Sequence, residues 1–100
     1  MSGLRVHKLG DVCNITMGQA PPGSTYNVSG QGLPLVAGAG NFGDRTPVTE
    51  KFTSTPLKTA SPGDIILCVR ATIGDINWSD SHYCLGRGVA GLRPKSDEEL

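Results

Sequence analysis

The sequence predicts a β-dominated α+β domain, a small twisted sheet or partial barrel of short strands with few helical turns. Three observations carry this expectation. Fourteen glycines and seven prolines punctuate 100 residues, which favours turns over long helices. The apolar runs are short: Ile65 to Val69 is five apolar residues in a row, a length that suits a buried strand better than a helix. A hydrophobic content of 37% over this length allows one modest core and leaves no room for a second domain.

Taken in chain order, an extended segment is expected near Leu4 to His7 and a brief helical turn from Leu9 to Asn14. A Pro/Gly-rich loop follows from Gln19 to Gly32. Strands are expected at Leu33 to Ala37 and at Val48 to Thr53. Pro62-Gly63 suits the centre of a type II turn, because proline presets its own φ and glycine accepts the positive φ after it. That turn opens a strand from Asp64 to Arg70, buried on both faces. Further strands are expected at Ile73 to Trp78, Tyr83 to Leu85 and Gly88 to Leu92, with Trp78, Phe52 and Leu67 as core residues. Ser96-Asp97-Glu98-Glu99 fits a capping box, in which the serine and the third-following glutamate satisfy orphan amides at a helix start.

Several function classes fall away. No apolar stretch approaches a membrane span, and Met1 to Val12 lacks the basic start and apolar run of a signal peptide, so the cytoplasm is the expected location. The three Asn-x-Ser/Thr triplets at Asn14, Asn27 and Asn77 are then chance products of a turn-rich chain. Cys13, Cys68 and Cys84 are an odd number at irregular spacing, which reads as reduced core thiols. His82-x-Cys84 has no second ligand pair for a metal and no orienting group for a nucleophile, so neither metal, cofactor nor catalysis is expected. Gly38-Ala39-Gly40-Asn41-Phe42-Gly43 matches the dinucleotide-binding glycine pattern literally. A helix must come after it to hold a pyrophosphate, and Asp44 to Thr49 carries proline and β-branched residues instead. It reads either as a turn or as a loop that lets backbone approach a partner closely.

The formal net charge is zero, yet residues 1 to 95 hold all nine Lys and Arg against six of the nine Asp and Glu. An excess of three positive charges therefore lies outside the acidic end at Asp97 to Glu99.

The longest pattern is Gly63-Asp64-Ile65-Ile66-Leu67 through Val69-Arg70-Ala71 and Ile73-Gly74-Asp75-Ile76-Asn77, then Cys84-Leu85-Gly86-Arg87-Gly88-Val89-Ala90. Lys8 to Val12 leading to Met17-Gly18-Gln19-Ala20-Pro21-Pro22-Gly23, and Tyr26-Asn27 followed by Gly32-Leu33-Pro34-Leu35-Val36, precede it. In this order the segments resemble the target recognition domain of type I restriction-modification specificity subunits, and they cover most of residues 8 to 94. The resemblance implies sequence-specific recognition of one half of a split double-stranded DNA target. It implies no chemistry of the domain's own; the family brings methylation and restriction subunits to the site. It also implies further helical and strand portions beyond Leu100, so residues 1 to 100 are expected to be one truncated recognition domain whose uncovered face self-associates.

Arg70 and Arg87 match arginines of the family's segments, which implies work shared by all targets: phosphate contact, or bracing by a salt bridge to Asp64 or Asp75. Base reading varies between targets and belongs in loops, so Gln19, Tyr26, Asn27, Asn41, Arg45 and Lys51 are the candidates for it, with ordinary loop roles as the alternative for each. A protein-interaction fragment that contacts a subunit or another copy, without DNA, is the second reading of the neutral charge.

Overall fold

The computed structural model describes residues 13–70 and 73–94. Nine short strands make up the described chain: β1 (Cys13–Met17), β2 (Tyr26–Asn27), β3 (Leu33–Val36), β4 (Phe52–Thr53), β5 (Thr59–Ala60), β6 (Ile65–Cys68), β7 (Ile76–Trp78), β8 (Tyr83–Leu85) and β9 (Val89–Pro94). Two single 3-10 turns, Gly23–Thr25 and Ala39–Asn41, are the helical content of the described residues. The β-dominated expectation holds. Among the described residues, no helix is long and apolar enough to cross a membrane.

The strands form two sheets. One has the order β1-β9-β6-β7 and is antiparallel throughout. The other has the order β2-β4-β3-β8-β5, in which β3 and β8 run parallel. Ile66 and Val89 from the first sheet and Val36, Ala60, Tyr83 and Leu85 from the second form one buried cluster, with Phe42 packed against it, so the core sits between the sheets.

The Ser61–Asp64 turn forms as the Pro62-Gly63 pair predicts. Gly63 has φ +93°, and the Asp64 N–H donates to the Ser61 carbonyl at 3.0 Å. The strand after it is shorter than expected, Ile65–Cys68, and its burial alternates. Ile66 and Cys68 are buried, whereas Ile65 and Leu67 are partly exposed, so the second face is only half covered.

That second face explains another departure. Register places Ile15, Leu92, Ile65 and Trp78 in one row, and Met17, Ala90, Leu67 and Ile76 in the next. Every side chain of both rows is apolar, and they share the side of the sheet away from the core. Trp78 lies at its edge strand and is 46% exposed, and Phe52 and Leu67 are only partly buried. None of the three expected core residues is a core residue.

Other boundaries also move. Cys13 and Asn14 are not in a helical turn; they open β1, pairing with Pro94 and Arg93, and β-branched Ile15 and Thr16 favour that extended form. The remainder of that expected turn, Leu4 to His7 and the capping box lie outside the described residues. The expected strand at Val48 shrinks to Phe52–Thr53, since the Val48 N–H is taken by the Asn41 carbonyl of the preceding loop (2.8 Å). Ile73-Gly74 forms a turn, with Gly74 at φ +100°. The strand expected from Gly88 begins at Val89 and runs on to Pro94, while β2 and β5 appear where loop was expected.

Candidate nucleic-acid interface

Three chain segments cross at one end of the two sheets, and they cross closely because glycines remove the side chains between them. A Cβ on Gly18 would lie 1.9 Å from the Gly86 carbonyl oxygen, and one on Gly88 would lie 2.3 Å from the Ala37 oxygen. Hydrogen bonds tie the crossing. Gly18 N–H donates to Val89 O (2.9 Å), Gln19 N–H to Leu85 O (2.9 Å), Gly86 N–H to Val36 O (2.8 Å) and Gly88 N–H to Ala37 O (3.0 Å). Arg87 is thus presented between two anchored glycines, with Gln19 beside it.

Arg70 joins Arg87 through the β6–β9 ladder. The ladder's last pair is Cys68 with Val89, and the Val69 N–H continues it by donating to Gly88 O (2.9 Å). Arg70 follows Val69 directly and Arg87 precedes Gly88 in the turn closed by the Val89 N–H to Gly86 O bond (3.3 Å), so both leave the same end of the ladder. Both are exposed, and among the described residues neither forms an ion pair. The anticipated salt bridge to Asp64 goes elsewhere. Register beside β6 brings Arg93 to Asp64, where its Nε reaches Oδ1 and its Nη2 reaches Oδ2, each at 3.0 Å. The Ser61 N–H also donates to Oδ2 (2.8 Å). Burial alone would raise the Asp64 pKa, but the Arg93 hydrogen bonds, the Ser61 N–H and the nearby positive charge outweigh it and hold the carboxyl below its usual range.

Next to the crossing lies a cleft of about 220 Å³ lined by Tyr26, Leu35, Ala37, Asn41, Glu50 and Lys51. Ala37 belongs to both features. Its carbonyl holds Gly88, and its N–H donates to Asn41 Oδ1 at 2.9 Å. The 3-10 turn ending at Asn41 is what carries that side chain back over β3. Lys51 sits on the other wall because its carbonyl accepts the Leu35 N–H (2.9 Å).

The glycine-rich Gly38–Gly43 segment is a loop, as expected from the proline and β-branched residues after it, and it is fixed at its far end by Asn77. The buried Asn77 amide accepts from the Gly43 N–H (2.9 Å) and donates to the Gly43 carbonyl (3.1 Å) and to Ile76 O (2.8 Å). Its triplet spacing in the sequence gave no hint of this role.

Of the expected site residues, Gln19, Asn41, Arg70 and Arg87 gather around the Gly86–Gly88 crossing, and Tyr26 and Lys51 share the cleft with Asn41. Arg45 stands apart beside β7, its carbonyl accepting the Trp78 N–H (2.6 Å). Asn27 organises its own loop: its Oδ1 accepts from Ser29 and Gln31 N–H groups, and its Nδ2 donates to Gln31 O (3.0 Å). Sequence reasoning did not single out Glu50, which lines the cleft next to Lys51. Among the described residues, no group of three His, Cys, Asp or Glu could hold a metal. Cys84 is buried on β8 of the second sheet, between β3 and β5; burial pushes its thiol pKa up against the smaller opposing effect of backbone hydrogen bonds.

Comparison with known proteins bears on this geometry. Residues 1–100 match the family model of the type I restriction modification DNA specificity domain. The chain is 40% identical over 84 residues to the MjaX type I restriction enzyme specificity subunit of Methanocaldococcus jannaschii, covering 84% of this chain and 20% of that protein. It superposes on the HsdS subunit of Thermoanaerobacter tengcongensis with a TM-score of 0.88 at 48% identity, over 92% of this chain and 24% of that one. A chain from a structural study of complex assembly and conformational transition in the type I R-M system gives a TM-score of 0.86 at 49% identity, over 88% and 23%. The chain thus spans about a fifth to a quarter of the length of these relatives.

Proposed function

We propose that this chain, which belongs to the family of type I restriction-modification DNA specificity domains, recognises double-stranded DNA in a sequence-dependent way as one target recognition domain. In this reading it works as a non-catalytic, cytoplasmic part of a specificity subunit that brings methylation and restriction subunits to their site. The observation that carries the reading is that two exposed arginines, Arg70 and Arg87, leave the same end of the β6–β9 ladder without an acidic partner among the described residues. Like charges near one another repel, and a phosphate bound beside them relieves that repulsion. The Tyr26–Lys51 cleft beside them supplies polar groups for base edges, so backbone contact and base contact fall on one surface.

The test is a residue-resolved NMR titration with a short random-sequence duplex, at low and then moderate salt. Shifts clustered on Gln19, the Gly38–Asn41 turn, Lys51, Arg70 and Arg87, and weakening steeply with salt, are expected. A folded chain with no such cluster would overturn the reading.

The apolar outer face of the four-stranded sheet favours a second contact, with protein. Ile15, Met17, Ile76 and Trp78 are each about half exposed there, and self-association of the chain through this face is the form it takes in isolation. Light scattering after size exclusion that gives only monomer would exclude it.

A further inference from the structure

Most glycines of the described chain answer a need of the fold. Some hold a positive φ, as Gly63 and Gly74 do, and some lie where a backbone passes too close for a Cβ, as Gly18 and Gly88 do. Gly38 and Gly40 answer neither need. Their φ values are not positive, and a Cβ built on either meets nothing within 4 Å. Gly38 is simply extended, at φ 178°, and opens the 3-10 turn that holds Gly40.

These two glycines are not a hinge. The Asn41 N–H donates to Gly38 O and the Phe42 N–H to Ala39 O, each at 3.0 Å, and the Val48 N–H donates to Asn41 O at 2.8 Å. Asn41 Oδ1 accepts the Ala37 N–H at 2.9 Å. The segment is therefore a fixed stretch of main chain that carries only the Ala39 methyl. It also lies against the residue next to Arg87. A Cβ on Gly88 would stand 3.3 Å from the Gly38 Cα, and the Gly88 N–H donates to Ala37 O at 3.0 Å. Gly40 is exposed beside this contact.

Glycine destabilises such positions relative to alanine, because the unfolded chain has more freedom to lose. A glycine that its own fold does not require points to a demand from outside. What glycine supplies there is closeness, since a partner's backbone reaches the main chain where no Cβ intervenes.

We infer that the backbone of residues 38–40 is a docking ledge for one strand of DNA, whose sugar-phosphate backbone seats on it in van der Waals contact and is thereby held beside Arg87. The inference rests on the DNA-recognition reading above and deepens it, by adding a positioning surface that reads no bases itself. A phosphate strand is the occupant because the exposed charges at this end of the ladder are Arg70 and Arg87, and among the described residues no acid pairs with either.

The test measures thermal midpoints, and binding of a short random-sequence duplex by fluorescence anisotropy, for the unsubstituted chain and for G38A, G40A and G23A. G38A and G40A should melt at or above the unsubstituted midpoint. Each should nevertheless weaken duplex binding roughly tenfold, because one carbon added to a tight contact displaces the partner. G23A adds a methyl equally free of neighbours, in the turn whose Thr25 hydroxyl meets Thr53, level with Leu33 at the far end of β3. It should bind like the unsubstituted chain. Unchanged binding by G38A and G40A, or an equal loss in G23A, overturns the ledge, and salt-sensitive binding by the unsubstituted chain then leaves DNA recognition standing. A lowered midpoint in both G38A and G40A also overturns it, since the fold would then account for the glycines. An absence of any salt-sensitive duplex binding by the unsubstituted chain overturns both readings.

Discussion

Arg70 and Arg87 flank the bond from the Val69 N–H to Gly88 O, each next in sequence to one of its partners, and no acid among the described residues pairs with either. Among the described residues, neither arginine has a stabilising ion pair to lose. Replacing either arginine by glutamine should therefore leave the thermal midpoint unchanged or slightly raised, while duplex binding weakens. The slope of log affinity against log salt should fall by about 0.9 for each phosphate no longer neutralised. Binding isotherms at several salt concentrations read this directly, and a lowered midpoint would show that the arginines brace the fold instead.

Gly88→Ala tests the crossing that displays Arg87. The added Cβ meets a backbone oxygen at 2.3 Å, which no side-chain rotation relieves, so a loss of about 1–3 kcal/mol is expected from denaturant melts. Gly40→Ala is the control. Its Cβ meets nothing within 4 Å and its φ is not positive, so the substitution should be neutral or stabilising by about 0.4–1 kcal/mol.

The Asp64 carboxyl predicts acid sensitivity. Its pKa is lowered in the fold from an ordinary value of 3.8, so the stabilisation is complete above that value and is lost as pH falls through the folded pKa. Thermal midpoints of the unsubstituted chain should drop across this acid range. Arg93→Gln should lower the midpoint at neutral pH and flatten that acid dependence.

Tyr83 predicts the opposite sign at the alkaline end. Burial first, and then its hydrogen bond to Asp80 Oδ1 (2.5 Å), push its pKa up to about 12 from 10.0. A raised folded pKa gives stability that is present below the unfolded value and lost as pH rises through the folded one. Stability should therefore decline between about pH 10 and 12. Tyr83→Phe should abolish that decline, and a tyrosinate absorbance titration of a Tyr26→Phe variant should show the remaining tyrosine ionising near 12.

Much of the fold was legible because local chemistry decided it. Pro62-Gly63 fixed a turn, and the turn fixed where β6 begins. By contrast β5 is two residues, Thr59–Ala60, with no periodicity to read; it exists because β8 offers an edge. The alternation around Trp78 told which residues share its side but not that this side lies away from the core. The site divides in the same way. Residue types and loop positions brought out Tyr26, Asn41 and Lys51, and the family resemblance brought out Arg70 and Arg87. The hydrogen bonds that turn Asn27 back on its own loop, commit the Asn41 oxygen to Ala37 and give Asp64 to Arg93 depend on register between distant segments.

The first described strand pairs with the last, and β3 pairs in parallel with β8 near the other end of the chain. Such non-local pairing must close long loops before any contact repays them, so folding belongs in the millisecond-to-second range rather than the microsecond range of local topologies. During synthesis the four-stranded sheet lacks its central β9 until Pro94 has been made. Arg87 joins Arg70 at this end of the ladder only when β9 pairs with β6, so the surface proposed for phosphate contact is completed at the close of folding.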